Sequence, residues 1–220
     1  MGIMDKGQEL TTVLSIVNSD GTIPRWPTYR EAENELKRLR LGTEQLLTFA
    51  LPIGQSGEKV GSDLKWTAVV VPVNTSEFPA IPDEKELSRV AGKISESCSR
   101  VGRVIYRITS KEAVFELRKA NADKERVALS QRIMGVARST FPEQWHTVKY
   151  LVVAILPYAG STGHCSVVVR LANNNVAKET TTVPIPEYML EVFAKNVMEI
   201  EEVDSVFYEL TPKATPLLWM

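Results

Sequence analysis

Residues 66–73 read WTAVVVPV, with a single polar residue, Thr67, among eight. A strand with one wet face alternates apolar and polar residues. This stretch is apolar on both faces, so it reads as an interior strand covered on both sides. Pro72 removes a ladder donor near its end, and pairing should fray there. Residues 148–156 (VKYLVVAIL) and 165–172 (CSVVVRLA) show the same run of branched apolar side chains. Together they predict one sheet-based core holding Trp66, Val69, Val71, Val152, Ile155, Val167 and Val169.

Upstream, residues 45–53 read as a strand, followed by a loop over 54–61 with three glycines. Before them, Thr28-Tyr29-Arg30-Glu31 has the form of a capping box, which predicts a helix to about Arg40, stopped by Gly42. Downstream, Asp83-x-x-Glu86 caps a helix whose inner face is Leu87, Val90, Ala91, Ile94 and Cys98, at helical spacing. A strand follows at 101–108. A helix is expected from Ser110 with Ala113, Val114 and Leu117 inside, and another over 123–138 with Val127, Ile133, Met134 and Ala137. After Pro142 the character turns to β. Strands at 165–172 and 176–185 flank Asn173-Asn174-Asn175, a run that tolerates positive φ and suits a hairpin. Pro186 precedes a helix over 187–197 with Tyr188, Val192 and Phe193, and residues 203–210 form the last strand.

This order is not the regular alternation of a doubly wound sheet. It predicts an α+β fold with a largely antiparallel sheet, helices on one side, and extended N- and C-terminal arms. The divisions are an N-terminal arm 1–27, a single domain 28–210 with a basic helical middle 85–139, and a C-terminal apolar arm 211–220.

The chain has 220 residues, 44% hydrophobic and 24% charged, which excludes wholesale disorder. Two cysteines, Cys98 and Cys165, make no disulfide framework and fit a reducing compartment. The opening MGIMDKGQEL is not a signal peptide, and Lys6 stands where a myristoylation signal needs Ser or Thr. The longest apolar run, 150–158, is half of what a membrane helix needs. The expected location is cytoplasmic.

Chemistry-bearing motifs fail on inspection. His164 and Cys165 are adjacent, so on a strand they point to opposite faces and cannot share a metal. No CxxC, HExxH or DxDxDG spacing occurs, and neither a metal nor a cofactor is expected. Cys98 and Cys165 read as small core residues rather than as nucleophiles paired with His146. The loop Gly54-Gln55-Ser56-Gly57 lacks the lysine of a phosphate cradle and runs into Glu58; 158–163 also lacks a lysine. Glu199, Glu201, Glu202 and Asp204 read as a solvated acidic loop.

The charge layout carries more. Residues 1–84 hold 8 basic against 12 acidic residues, 85–139 hold 13 against 6, and 140–220 hold 5 against 9. A basic middle between acidic ends has two readings: an anionic partner, or pairing with its own flanks. For the first, the candidate contacts are Arg89, Lys93, Arg100, Arg103, Arg118, Lys119, Arg126 and Arg132, which should then be exposed and share one side.

The termini suggest assembly. Pro212 and Pro216 hold the last residues extended, and Leu217, Leu218 and Trp219 form a compact apolar anchor beyond them. Burying each such side chain is worth about 1.5–3 kcal/mol, so the arm seeks cover. Trp26, bracketed by Pro24 and Pro27, is a second anchor of this kind.

The stretch 166–175 (SVVVRLANNN), the threonines that follow at 180–182 and the acidic, apolar helix at 187–197 resemble the late strands of plant-virus cell-to-cell movement proteins. The size, mixed element order and tailed ends also look like small viral structural proteins, of the matrix or coat kind. The resemblance implies a non-enzymatic structural protein that self-assembles into homo-oligomers and contacts RNA, ribonucleoprotein or an anionic membrane surface. The alternatives are a movement-type nucleic-acid-binding protein and a small cytosolic enzyme whose site leaves no motif.

Overall fold

The computed structural model describes residues 8–13, 27–42, 46–55, 65–73, 80–110, 116–117, 123–142, 148–160, 165–174 and 180–211. In chain order they form β1 (Gln8–Val13), α1 (Pro27–Arg38), β2 (Leu46–Gln55), β3 (Lys65–Pro72), α2 (Glu84–Ser97), β4 (Val101–Ser110), β5 (Glu116–Leu117) and α3 (Lys124–Thr140). Then come β6 (Tyr150–Leu156), β7 (Tyr158–Ala159), β8 (Cys165–Asn174), β9 (Thr180–Val183), α4 (Glu187–Met198) and β10 (Val203–Glu209).

One mixed sheet runs β1-β6-β8-β10-β4-β3-β2, with β9 also pairing β8; β5 and β7 make a separate two-stranded piece. The pairs β2–β3, β4–β10, β6–β8 and β8–β9 are antiparallel, while β1–β6, β3–β4 and β8–β10 are parallel. The fold is therefore α+β with antiparallel pairs in the majority. Gln8–Val13, within the predicted N-terminal arm, is the parallel partner of β6.

The four helices of the described residues lie on one side. Ala32 and Leu36 of α1, Val90 and Ile94 of α2, Ile133 of α3 and Phe193 of α4 share a cluster with alternate strand residues such as Trp66, Ala68, Val70, Val104, Val153 and Val167. The intervening residues build the other face, where Val69, Val71, Ile105, Val168 and Phe207 join Leu51 and Ile53. The seven predicted core residues are all buried. They do not form one cluster: Trp66, Ile155, Val167 and Val169 face the helices, Val69 and Val71 the opposite side, and Val152 packs with Tyr150 and Ala172. The period of two divides them, since successive strand side chains take opposite faces.

Caps place the helices. The Asp83 side chain accepts from the Glu86 amide at 2.8 Å, as the sequence predicts, and Asp123 accepts from the Arg126 amide at 2.9 Å. The start of α1 differs: it begins at Pro27, which puts Thr28 inside the first turn rather than at the cap. The Thr28 hydroxyl accepts instead from the Trp66 indole at 3.2 Å, and the Tyr29 hydroxyl donates to the Ala50 carbonyl at 2.9 Å, so α1 is tied to both β2 and β3. Gly42 turns the chain at φ +81°, where other residues are strained. Ser110, the expected helix start, instead ends β4 opposite Ser205, and Ser205 Oγ donates to the Thr109 carbonyl at 2.8 Å; Ala113 and Val114 lie outside the described residues. Leu117 pairs with Tyr158 as a strand. In the predicted hairpin, Asn174 pairs with Thr180, so the turn is longer than a tight Asn pair. Val127 on α3 is 43% exposed, not inside, and Tyr188 and Val192 face outward on α4.

Candidate functional site

Three of the eight candidate basic residues, Arg100, Arg103 and Arg132, meet acidic residues of the flanks. Arg100 Nε donates to Glu31 at 2.7 Å, and the Arg100 amide and Ser99 hydroxyl donate to Glu35. Arg132 meets Glu202 at 2.7 Å, with both side chains about half exposed. Arg89 reaches Glu86 at 3.1 Å and donates to the Leu41 carbonyl at 2.9 Å, pinning the α1–β2 turn to α2. Lys93 is half-buried on α2, Arg126 half-buried on α3, and Arg118 and Lys119 lie outside the described residues.

Arg103 corrects the expectation of an exposed basic set. It is 0% exposed, and its Nη1 meets Glu209 Oε1 at 2.6 Å. Arg170, equally buried, meets the same oxygen at 3.3 Å and donates through Nε to Thr182 at 3.0 Å. These three side chains come from β4, β10 and β8, the three neighbouring strands at the middle of the sheet. By strand alternation they lie on the face away from the helices, beside Ile105, Val168 and Phe207. Burial lowers the Arg170 pKa, and Glu209 partly restores it. The sequence signal was available: a charge inside a strand apolar on both faces, as in VVVRLA, has to find a partner.

Asp204 is also buried, not part of a solvated loop, and accepts from the Gly160 amide at 3.1 Å. It lies within β10, where the register against β8 shifts between Val203 and Ser205, while Glu199 and Glu201 stay exposed. Cys98 and Cys165 are buried free thiols, as predicted. Burial, with Glu35 nearby, pushes the Cys98 thiol up to about 11, so little reactive thiolate forms at neutral pH. His146, His164, Trp26, Leu217, Leu218 and Trp219 lie outside the described residues. Of the two glycine-bearing loops, Gly54 and Gln55 end β2, and Tyr158 and Ala159 form β7. Among the described residues no group of His, Cys, Asp or Glu is placed to hold a metal, and no helix is long and apolar enough to cross a membrane.

Two concavities went unread in the sequence. The first is a cleft of about 360 Å³ between the N-termini of α2 and α4. Leu87, Ile185, Leu190 and Leu210 form its apolar lining, and Asp83, Glu84 and Glu187 its acidic rim. Tyr208 lines it too; its hydroxyl accepts from the Ile185 amide at 3.3 Å and donates to the Val183 carbonyl at 3.4 Å. Burial pushes that hydroxyl up to about 12. Prolines 82, 184 and 186 stiffen the walls. The second is an open groove of about 680 Å³ between the end of α1 and the outer strand β2, with an apolar lining and a basic rim of Lys37 and Arg40.

Thr211, the last described residue, is buried and fixed. Its hydroxyl accepts from the Val104 amide at 3.0 Å, and its carbonyl accepts from the Thr182 hydroxyl. The described chain therefore ends at a fixed point next to Leu210, which lines the first cleft. The sequence pattern hints at this cleft only through its prolines, each set just before a helix start. No family model matches this chain, and no curated protein matches it either.

Proposed function

We propose that this is a non-enzymatic structural protein that assembles with copies of itself through the segment that follows Thr211. One observation carries the reading: Thr211, just past the central strand β10, is buried and hydrogen-bonded, and the nine residues beyond it read PKATPLLWM. A rigid root followed by two prolines and an apolar anchor suits docking on a neighbour, because little ordering entropy is lost on binding. The resemblance to small viral structural proteins points the same way.

The pairs Arg100–Glu31, Arg103–Glu209 and Arg132–Glu202 each join the basic middle to an acidic flank. They favour the charge-balance reading of that layout over contact with RNA, ribonucleoprotein or an anionic membrane.

Light scattering against concentration tests the assembly reading. The full chain should gain mass with concentration. A chain lacking residues 217–220 should stay monomeric, with its circular dichroism and thermal midpoint preserved. A full chain that stays monomeric at high concentration, or a truncated chain that assembles as before, overturns it.

A further inference from the structure

We infer that the cleft between the N-termini of α2 and α4 receives residues 212–220 of a second copy of the chain. This rests on the assembly reading and names the surface that accepts the arm. Three observations converge. The cleft is apolar inside, which suits Leu217, Leu218 and Trp219. Its rim carries Asp83, Glu84 and Glu187, opposite in sign to Lys213, the one charged residue of the arm. The groove beside β2 is ringed by Lys37 and Arg40 and would repel that lysine.

Reach favours a neighbour over the arm's own cleft. Fully extended, the chain from Leu210 to Leu217 spans up to about 23 Å, whereas a compact 360 Å³ cleft is roughly 9 Å across. Leu210 already lines that cleft, and prolines that favour extension would carry the anchor past its own site toward a neighbour's. The contact is head-to-tail: each copy offers one arm and one cleft, which generates rings or filaments.

Complementation tests this. Ser88→Trp fills the cleft from an exposed position on α2 while keeping the arm. A chain lacking 217–220 keeps the cleft and loses the anchor. Each alone should be monomeric, and the mixture should give a one-to-one dimer of twice the monomer mass. A synthetic peptide of residues 213–220 should bind the truncated chain, with its tryptophan emission shifted to the blue. Glu84→Lys with Glu187→Lys should weaken that binding at least tenfold, and a peptide carrying Lys213→Glu should restore it. If the wild-type chain assembles and Ser88→Trp assembles equally well, or the mixture stays monomeric, the cleft is not the receptor while the assembly reading stands. If wild type never assembles, both fail. A monomeric wild type whose thermal midpoint falls on truncation places the arm on its own domain and overturns the exchange.

Discussion

Replacing Glu209 by Gln keeps the shape of the side chain and removes one charge from a site where three meet. Glu209 Oε1 lies 2.6 Å from Arg103 Nη1 and 3.3 Å from Arg170 Nη1, and all three side chains are fully buried. The substitution leaves two buried guanidinium groups sharing a neutral amide in place of the carboxylate. Breaking a buried ion pair from one side costs about 3–5 kcal/mol. With a urea m-value of about 2.5 kcal/mol/M, a loss near 4 kcal/mol lowers the unfolding midpoint by about 1.6 M. Arg103→Met, Arg170→Met and Glu209→Leu combined should fall much nearer to wild type, because the desolvation of all three charges is then relieved together. Urea melts followed by tryptophan fluorescence measure both. A midpoint shift below about 0.3 M for Glu209→Gln would mean that the charges are solvated, and the buried-triad argument would be wrong.

Gly42→Val should destabilise by about 1–2 kcal/mol, the cost of a side chain in the left-handed region, measured by thermal melting. Asp83→Ala should lose about 1 kcal/mol with the cap of α2, again by melting. Arg132→Ala should change stability by less than about 1 kcal/mol, since that pair is half in solvent. Burial is the main cause that raises Tyr29, Tyr106 and Tyr208 from 10.0 to about 12, and Cys98 from 9.0 to about 11. A raised acid pKa adds stability that is complete below the unfolded value and vanishes as pH climbs through the folded one. Urea midpoints should therefore hold steady to about pH 8 and fall between roughly pH 9 and 12. Native Cys98 should react with a thiol reagent at pH 8 only as fast as the protein opens.

The sheet and its one-sided helices were legible because strand and helix periods are local: 66–73 and the Leu87, Val90, Ala91, Ile94 stripe each announce themselves. The helix expected at Ser110 failed because Thr109 and Ser110 pair with β10 almost a hundred residues away, a contact invisible in a short window. Arg103 was misread for a related reason. In VGRVIYRI it looks like one more member of a basic region, and the arrival of Glu209 on the adjacent strand supplies its buried counter-charge. The cleft escaped notice because its walls come from α2, α4, β10 and the β9–α4 link, segments that no single motif spans.

The position of β10 governs how the chain can fold as it is made. Strands β2, β3 and β4 form one sheet fragment, β1, β6, β8 and β9 form another, and among the described residues β10 alone bonds to both. At 5–20 residues per second, about 5–20 s separate the synthesis of β4 from that of β10. Through that interval β4 presents an apolar, unpaired edge, which β8 joins with its own once residue 174 is made, and first Arg103 and then Arg170 wait for the carboxylate that Glu209 brings. A nascent chain stalled before residue 203 is thus two adhesive half-sheets, and it is in this window that a chaperone would have most to hold.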